Sequence, residues 1–381
     1  MQESILRSQI TIITPTYNRP YYLTRHLDYY AGTGLRIFVE DSSDVPLEHP
    51  LTSAPHVCYS WKPNRSFMEK FYALINAVDT PYIALCSDDD FIIPEAIDTC
   101  IEWLNEHPEY SAADGQRMRV VNKNGRNYFT PELRTEGYPG KHNNGEDKVA
   151  RVKYQNIPHE GLVCAVVRTR YMKDVIRYCR GEYVKPDVFS IVQNVSVPAG
   201  GKTIILPILY SVLSYIPGSS GSQAQYTLEF NHAVMNEVQK KEYAMFVEYS
   251  ANALSEEAGI DLGEANAMLA ELFAILHHQP LNPMLKYSDT SLVKRLAKSL
   301  LPESIYLLLG ESIKTQNLLR FLRQQPGNAY SDPVTRRRLE RVSAFVEKYN
   351  TYLTYSVPES AVYLALRRMV IDRYFSVLPR S

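Results

Sequence analysis

Tyr82-Ile83-Ala84-Leu85-Cys86-Ser87-Asp88-Asp89-Asp90-Phe91 is an apolar, strand-like run that ends in three consecutive carboxylates. Adjacent carboxylates repel one another, and the end of a buried strand is a poor place to leave them uncompensated. A divalent cation removes that conflict, because Mg²⁺ and Mn²⁺ prefer oxygen ligands and readily bridge to phosphates. The alternative is a solvated acidic turn. The position of the triplet, after an apolar strand and just ahead of a helix start at Pro94-Glu95, favours a metal site.

The chain has 381 residues, too many for one ordinary core, so two domains are expected. A hydrophobic content of 45% with 22% charged residues points to a globular chain rather than a disordered one. The formal net charge of −1 provides no global field for a nucleic-acid partner. Cys58, Cys86, Cys100, Cys164 and Cys179 are odd in number and form no C-x-x-C pair, which argues against a disulfide framework or a zinc site and fits a reducing compartment. The N-terminus lacks a basic-then-apolar leader pattern, and no uncharged apolar run is long enough to span a bilayer. The expected location is cytoplasmic. Tyrosines, 28 against 2 tryptophans, can stack on sugar rings or simply pack.

Working outward, the first stretch alternates short β-like runs with helical patterns, as βα units and a largely parallel sheet require. Strands are expected at Ile10–Ile13, Leu35–Val39, Cys58–Trp61 and Tyr82–Cys86, with helices at Tyr21–Tyr30, Phe67–Val78 and Pro94–Glu106. Asn122-Lys123-Asn124-Gly125 reads as a hairpin turn, and Tyr138–Asp147 as a mobile surface loop. Later strands are expected at Leu162–Val167, Lys202–Leu206 and Leu209–Ile216, followed by a hinge at Pro217–Ser222. Beyond about Gln225 the β pattern gives way to long helical stretches, from Phe230–Ala258 and Gly263–His277 through to Ser360–Phe375. The expected division is 1–225 and a helical 226–381.

The order of these parts resembles family-2-like glycosyltransferases of the GT-A fold, such as those that build bacterial surface polysaccharides. Thr14-Pro15-Thr16-Tyr17-Asn18-Arg19-Pro20 resembles their P-T-Y-N-R opening, and Glu40-Asp41-Ser42-Ser43 their V-D-D-x-S. Ala73–Ala77 through Thr80–Ile83 is similar to the stretch leading into their DxD motif, which Asp88-Asp89-Asp90 supplies. The resemblance covers roughly residues 8–220 and is clear to about 115. It implies an α/β, Rossmann-like mixed sheet, mainly parallel and flanked by helices; the C-terminal all-helical domain, expected from its own pattern, has no counterpart in that resemblance. It also implies Mn²⁺ or Mg²⁺, a nucleotide-sugar donor (a UDP-sugar by default) and a glycan or lipid-linked acceptor. Asp90 is the implied metal ligand, with Asp88 contacting ribose or the metal's water shell and Asp89 undecided. Asp41 is the implied nucleoside contact, against a strand-end turn residue with an Asx hydrogen bond. Thr16, Tyr17 and Arg19 fall at the carboxyl end of the first strand, where open α/β sheets bind ligands. Arg19 suits a phosphate, and Lys70 approaches the donor from its helix. Both also fit as surface charges.

An inverting transferase needs a base for the acceptor hydroxyl. The resemblance points to Asp187 in Lys185-Pro186-Asp187-Val188, with Glu182 as its rival. The family's Glu-Asp pair is absent, so inverting and retaining outcomes both stay open. An aspartate after Pro186 also complements a helix dipole. His159, His232 and His277-His278 are minor ligand candidates, and Gly32-Thr33-Gly34 is better explained as an αβ turn than as a phosphate loop. Leu292–Leu301 is basic and amphipathic, and Arg336-Arg337-Arg338 with Arg341 forms a second basic cluster. Such helices suit either a packed bundle or the anionic membrane surface that bears lipid-linked acceptors. The helical part thus walls the acceptor site, docks on a membrane or forms a homo-oligomer. A nucleotidyltransferase and a non-catalytic glycan-binding or scaffold protein remain as alternatives. The absence of a glycine-rich loop after the first strand weighs against the former, and the intact triplet with Asp41 against the latter.

Overall fold

The computed structural model describes residues 2–123, 126–132, 142–156, 161–179, 186–215 and 235–278. A short helix α1 (Gln2–Arg7) precedes β1 (Ile10–Thr16), α2 (Pro20–Tyr30) and β2 (Arg36–Asp41). Then come β3 (Val57–Trp61), α3 (Phe67–Ala77), β4 (Tyr82–Leu85), β5 (Phe91–Ile92) and α4 (Pro94–Glu106). The chain continues through β6 (Tyr110–Lys123), β7 (Arg126–Glu132), β8 (His142–Asn143), α5 (Lys148–Asn156), β9 (Val166–Arg168) and α6 (Thr169–Tyr178). The last described elements are α7 (Pro186–Gly200), β10 (Lys202–Tyr215), α8 (Glu237–Ala258) and α9 (Leu262–His278).

All described strands form one mixed sheet, whose main path is β3-β2-β1-β4-β9-β6-β10-β5. Strands β3, β2, β1 and β4 are mutually parallel, and β6 and β10 run the same way on the far side of the short reversed strand β9. This is the GT-A-like arrangement, with helices on both faces. The β1 sequence explains its central place: Ile10 and Ile12 enter one core and Ile13 the other, so both faces are buried. The first core holds α2 and α4 through residues such as Leu23, Leu27, Ile97 and Ile101. The second holds α3, α6 and α7 through Phe71, Val175 and Phe189, and it extends to α8 and α9 through Phe246, Leu254 and Phe273.

Local chemistry sets the element ends. Ser66 and Glu69 form a reciprocal capping box at the start of α3, as Asn236 and Gln239 do for α8. Gly32 and Gly34 adopt positive φ, which identifies Gly32-Thr33-Gly34 as the turn between α2 and β2.

Several expectations change. Lys202–Leu206 and Leu209–Ile216 are one strand, β10: Pro207 lacks an N–H and shifts the ladder between Ile205 and Leu209 without ending it. Strand β9 starts only at Val166, because Ala165 N–H bonds Leu162 O at 2.9 Å in a preceding turn. Part of the loop expected at Tyr138–Asp147 is strand, since His142-Asn143 pairs with Ile204-Thr203. Helices α5 and α6 were not anticipated. The hinge at 217–222, Glu182, His159, His232 and the basic tail clusters lie outside the described residues, as do the helical stretches beyond 278. Among the described residues, no helix is long and apolar enough to cross a membrane.

Candidate active site

The carboxyl ends of the parallel strands meet at one edge of the sheet. Register places Thr16 opposite Asp41, and Asp41 opposite Trp61. Strand β4 lies on the other side of β1, and Cys86 N–H still bonds Ile13 O at 3.0 Å, so the triplet emerges beside Thr16.

Asp88 is almost fully buried there, and both its oxygens are engaged. Thr16 Oγ1 donates to Oδ2 at 2.6 Å, and Arg19 Nη1 donates to Oδ1 at 2.7 Å. The second arm of the same guanidinium, Nη2, reaches Asp89 Oδ2 at 2.6 Å. Arg25, just below, donates to the Asp89 carbonyl at 2.8 Å. Burial pushes the Asp88 carboxyl up to about 6, against the pull of Arg19. Asp90 turns away from this pair. Its Oδ1 accepts from Ser214 N–H of β10 at 2.8 Å, and burial with the neighbouring Asp89 raises its carboxyl well above the ordinary range.

Lys70, buried on α3, donates from Nζ to the Thr16 carbonyl at 2.9 Å. Burial lowers its ammonium to about 8, opposed first by Asp88 and then by Asp41 and Glu40. The exposed Tyr17 ring lies 5.9 Å from Nζ. Asp41 makes the Asx hydrogen bond, accepting from Ser43 N–H at 2.8 Å, while its other oxygen accepts from Tyr59 Oη at 2.7 Å. Thr16, Tyr17, Arg19, Asp41, Lys70 and the triplet therefore gather at one edge.

Asp187 lies in the first turn of α7. That helix packs on α3 through Phe189, whose ring centroid is 4.6 Å from that of Phe71, the residue after Lys70.

Other residues at the edge gave no strong signal in the sequence. Glu40 is buried and paired with Arg65 from the loop before α3. Trp61 Nε1 donates to Ser43 O at 2.8 Å and fixes the turn after Asp41. Ser214 meets Asp90 from 124 residues away, a pairing that only the fold reveals.

The carboxylates are hard oxygen donors of the kind Mg²⁺ or Mn²⁺ takes. Among the described residues no three His, Cys, Asp or Glu side chains converge, and Asp90 Oδ2 receives no hydrogen bond. Asp90 keeps one oxygen on Ser214 N–H and is pushed by burial toward the neutral carboxyl, while both Asp88 oxygens are taken by Thr16 and Arg19.

Residues 11–176 match the family described as glycosyl transferase family 2. No curated protein matches the sequence significantly. Similar solved structures include S. aureus TarS 1–349 in complex with UDP-GlcNAc, at 14% identity and a TM-score of 0.49, covering 95% of this chain and 92% of that one. S. aureus TarS 1–349 itself gives 12% identity and 0.45 over the same shares, and its complex with UDP gives 12% and 0.43.

Proposed function

We propose, from the placement of residues 11–176 in glycosyl transferase family 2, that this chain transfers a sugar from a nucleoside-diphosphate donor to an acceptor hydroxyl. The observation that carries the proposal is the meeting of Lys70, Arg19 and the acidic triplet at the carboxyl edge of β1 and β4. Two cations and a set of oxygen ligands at that edge suit a diphosphate. Asp41, Thr16 and Tyr17 are assigned to the nucleoside side, and Asp88 and Asp89 to the ribose and to holding Arg19.

Asp90, joined by Asp88 once Arg19 moves, would hold Mn²⁺ or Mg²⁺, which supplies Lewis-acid neutralisation of the departing diphosphate. Lys70 contributes a fixed positive charge beside that diphosphate. Asp187 is the proposed base, which takes the acceptor hydroxyl's proton, with an inverting outcome. Its support is the packing of α7 against the Lys70-bearing helix. Glu182 is the second candidate. The acceptor is proposed to be a cell-surface glycan or a lipid-linked glycan. Residues 226–381 are proposed to contribute acceptor, membrane or oligomer contacts, in a cytoplasmic protein that works at the inner membrane face.

Product analysis with a panel of nucleotide sugars, Mn²⁺ and glycan acceptors tests this. Nucleoside diphosphate with a lengthened acceptor is the expected outcome. Pyrophosphate-dependent nucleoside triphosphate formation would identify a nucleotidyltransferase, and binding without any turnover a glycan-binding protein.

A further inference from the structure

Helix α7 carries two consecutive primary amides, Gln193 and Asn194, that are fully buried. Buried amides cost free energy unless bonded, and asparagine is a poor helix former, so apolar residues would serve packing better. Their partners explain the choice. Gln193 Nε2 donates to Leu162 O at 3.1 Å, and Leu162 N–H donates to Asn194 Oδ1 at 3.0 Å. Two side chains of one helix thus bond both peptide groups of one residue, whose carbonyl also accepts the Ala165 N–H, while Gln193 Oε1 finds no partner among the described residues. The preceding carbonyl, of Gly161, is bound by Arg117 Nη2 at 2.9 Å. Asn156 of α5 fastens the same turn of α7 from the other side, through Asn194 O at 3.1 Å.

We propose that Gln193 and Asn194 are positioning residues for the transfer reaction: they hold α7, with Asp187 in its first turn, in fixed register against the Gly161–Leu162 backbone that Arg117 binds. The proposal rests on the transferase function proposed above. Asp187 lies about 9 Å along the helix axis from Gln193, at about 1.5 Å per residue. Loss of the clamp lets the Asp187 end of α7 shift against the Lys70-bearing helix on which Phe189 packs. A displacement on the order of 1 Å costs about 100-fold in rate.

The test uses the full chain as wild type, Gln193→Met, Asn194→Leu and Asn194→Asp, the last keeping an acceptor for Leu162 N–H. Turnover of the active nucleotide sugar, UDP binding with Mn²⁺ and amide hydrogen exchange are measured on each. Gln193→Met and Asn194→Leu are expected to lower kcat about 10- to 100-fold. UDP affinity should stay within about twofold, and exchange should quicken together at Leu162 and in the first turn of α7. Asn194→Asp should restore most of the loss. Wild-type kcat in both apolar variants, or UDP affinity falling in parallel with kcat, overturns the proposal. If wild type turns over no donor, the transferase function fails on its own account. Exchange then decides the clamp: joint quickening at Leu162 and α7 supports it, and quickening at Leu162 alone overturns it.

Discussion

Arg19 Nη1 lies 2.7 Å from Asp88 Oδ1 while its other arm holds Asp89 at 2.6 Å, so one guanidinium neutralises two neighbouring carboxylates. Removing it takes from Asp88 and Asp89, both buried, the cation that bonds them. Breaking a buried pair costs about 3–5 kcal/mol, and the guanidinium's 25% exposure reduces this to about 1–3 kcal/mol for Arg19→Ala. Urea denaturation measures it. Adding Asp88→Asn to Arg19→Ala should recover part of the loss, which a mere packing defect would not allow.

Lys70 is a buried cation at the sheet edge proposed to take the diphosphate. Lys70→Met keeps the aliphatic stem and removes the charge. UDP affinity should fall about 10- to 100-fold, in line with about 1.5–3 kcal/mol for a charge-assisted hydrogen bond. Because burial holds the ammonium at about 8, wild-type UDP affinity should also weaken as pH rises through 8, when the amine becomes neutral. Calorimetry across that range should find no such inflection in Lys70→Met.

Asp88 titrates in the opposite sense. Its folded value of about 6 exceeds the ordinary 3.8, so the folded chain takes up this proton before the unfolded chain does. Its protonation therefore adds stability that is full below 3.8 and lost as pH rises through 6. Comparing urea midpoints of wild type and Asp88→Asn from pH 4 to 7 should show this contribution in wild type only. In the same window, Mn²⁺ affinity should fall as pH drops through 6, since a protonated carboxyl is a poor cation ligand.

Gly115 on β6 tests the sheet beneath the site. A Cβ there would lie 2.6 Å from both Ile208 O and Tyr210 Cβ on β10. Gly115→Ala should destabilise by about 1–3 kcal/mol through overpacking, read by thermal or urea unfolding. An unchanged midpoint would contradict the tight β6–β10 approach.

The first half of the fold was legible because its signals are local. An all-apolar Tyr82–Leu85 and Pro94 at a helix start each declare themselves within a few residues. Helix α6 was missed although Tyr171, Met172, Val175 and Ile176 repeat at helical spacing; the basic residues between them hid the stripe. Pro207 suggested two strands where the sheet carries one across the irregularity. At the site, the motifs located Thr16, Asp41 and the triplet, but not their partners. Tyr59 on Asp41, Ser214 on Asp90 and the Arg19 fork depend on distances that only the folded sheet sets.

The central claim is that Asp90 holds the cation that neutralises the diphosphate of a nucleotide-sugar donor. Its most direct test is nucleoside diphosphate release from a sugar-nucleotide panel with Mn²⁺, in wild type and in Asp90→Asn, an isosteric change that removes the carboxylate. The account predicts release by wild type from at least one donor and a loss of about 100-fold or more in Asp90→Asn, with an unchanged unfolding midpoint. Equal release by the two proteins would contradict it.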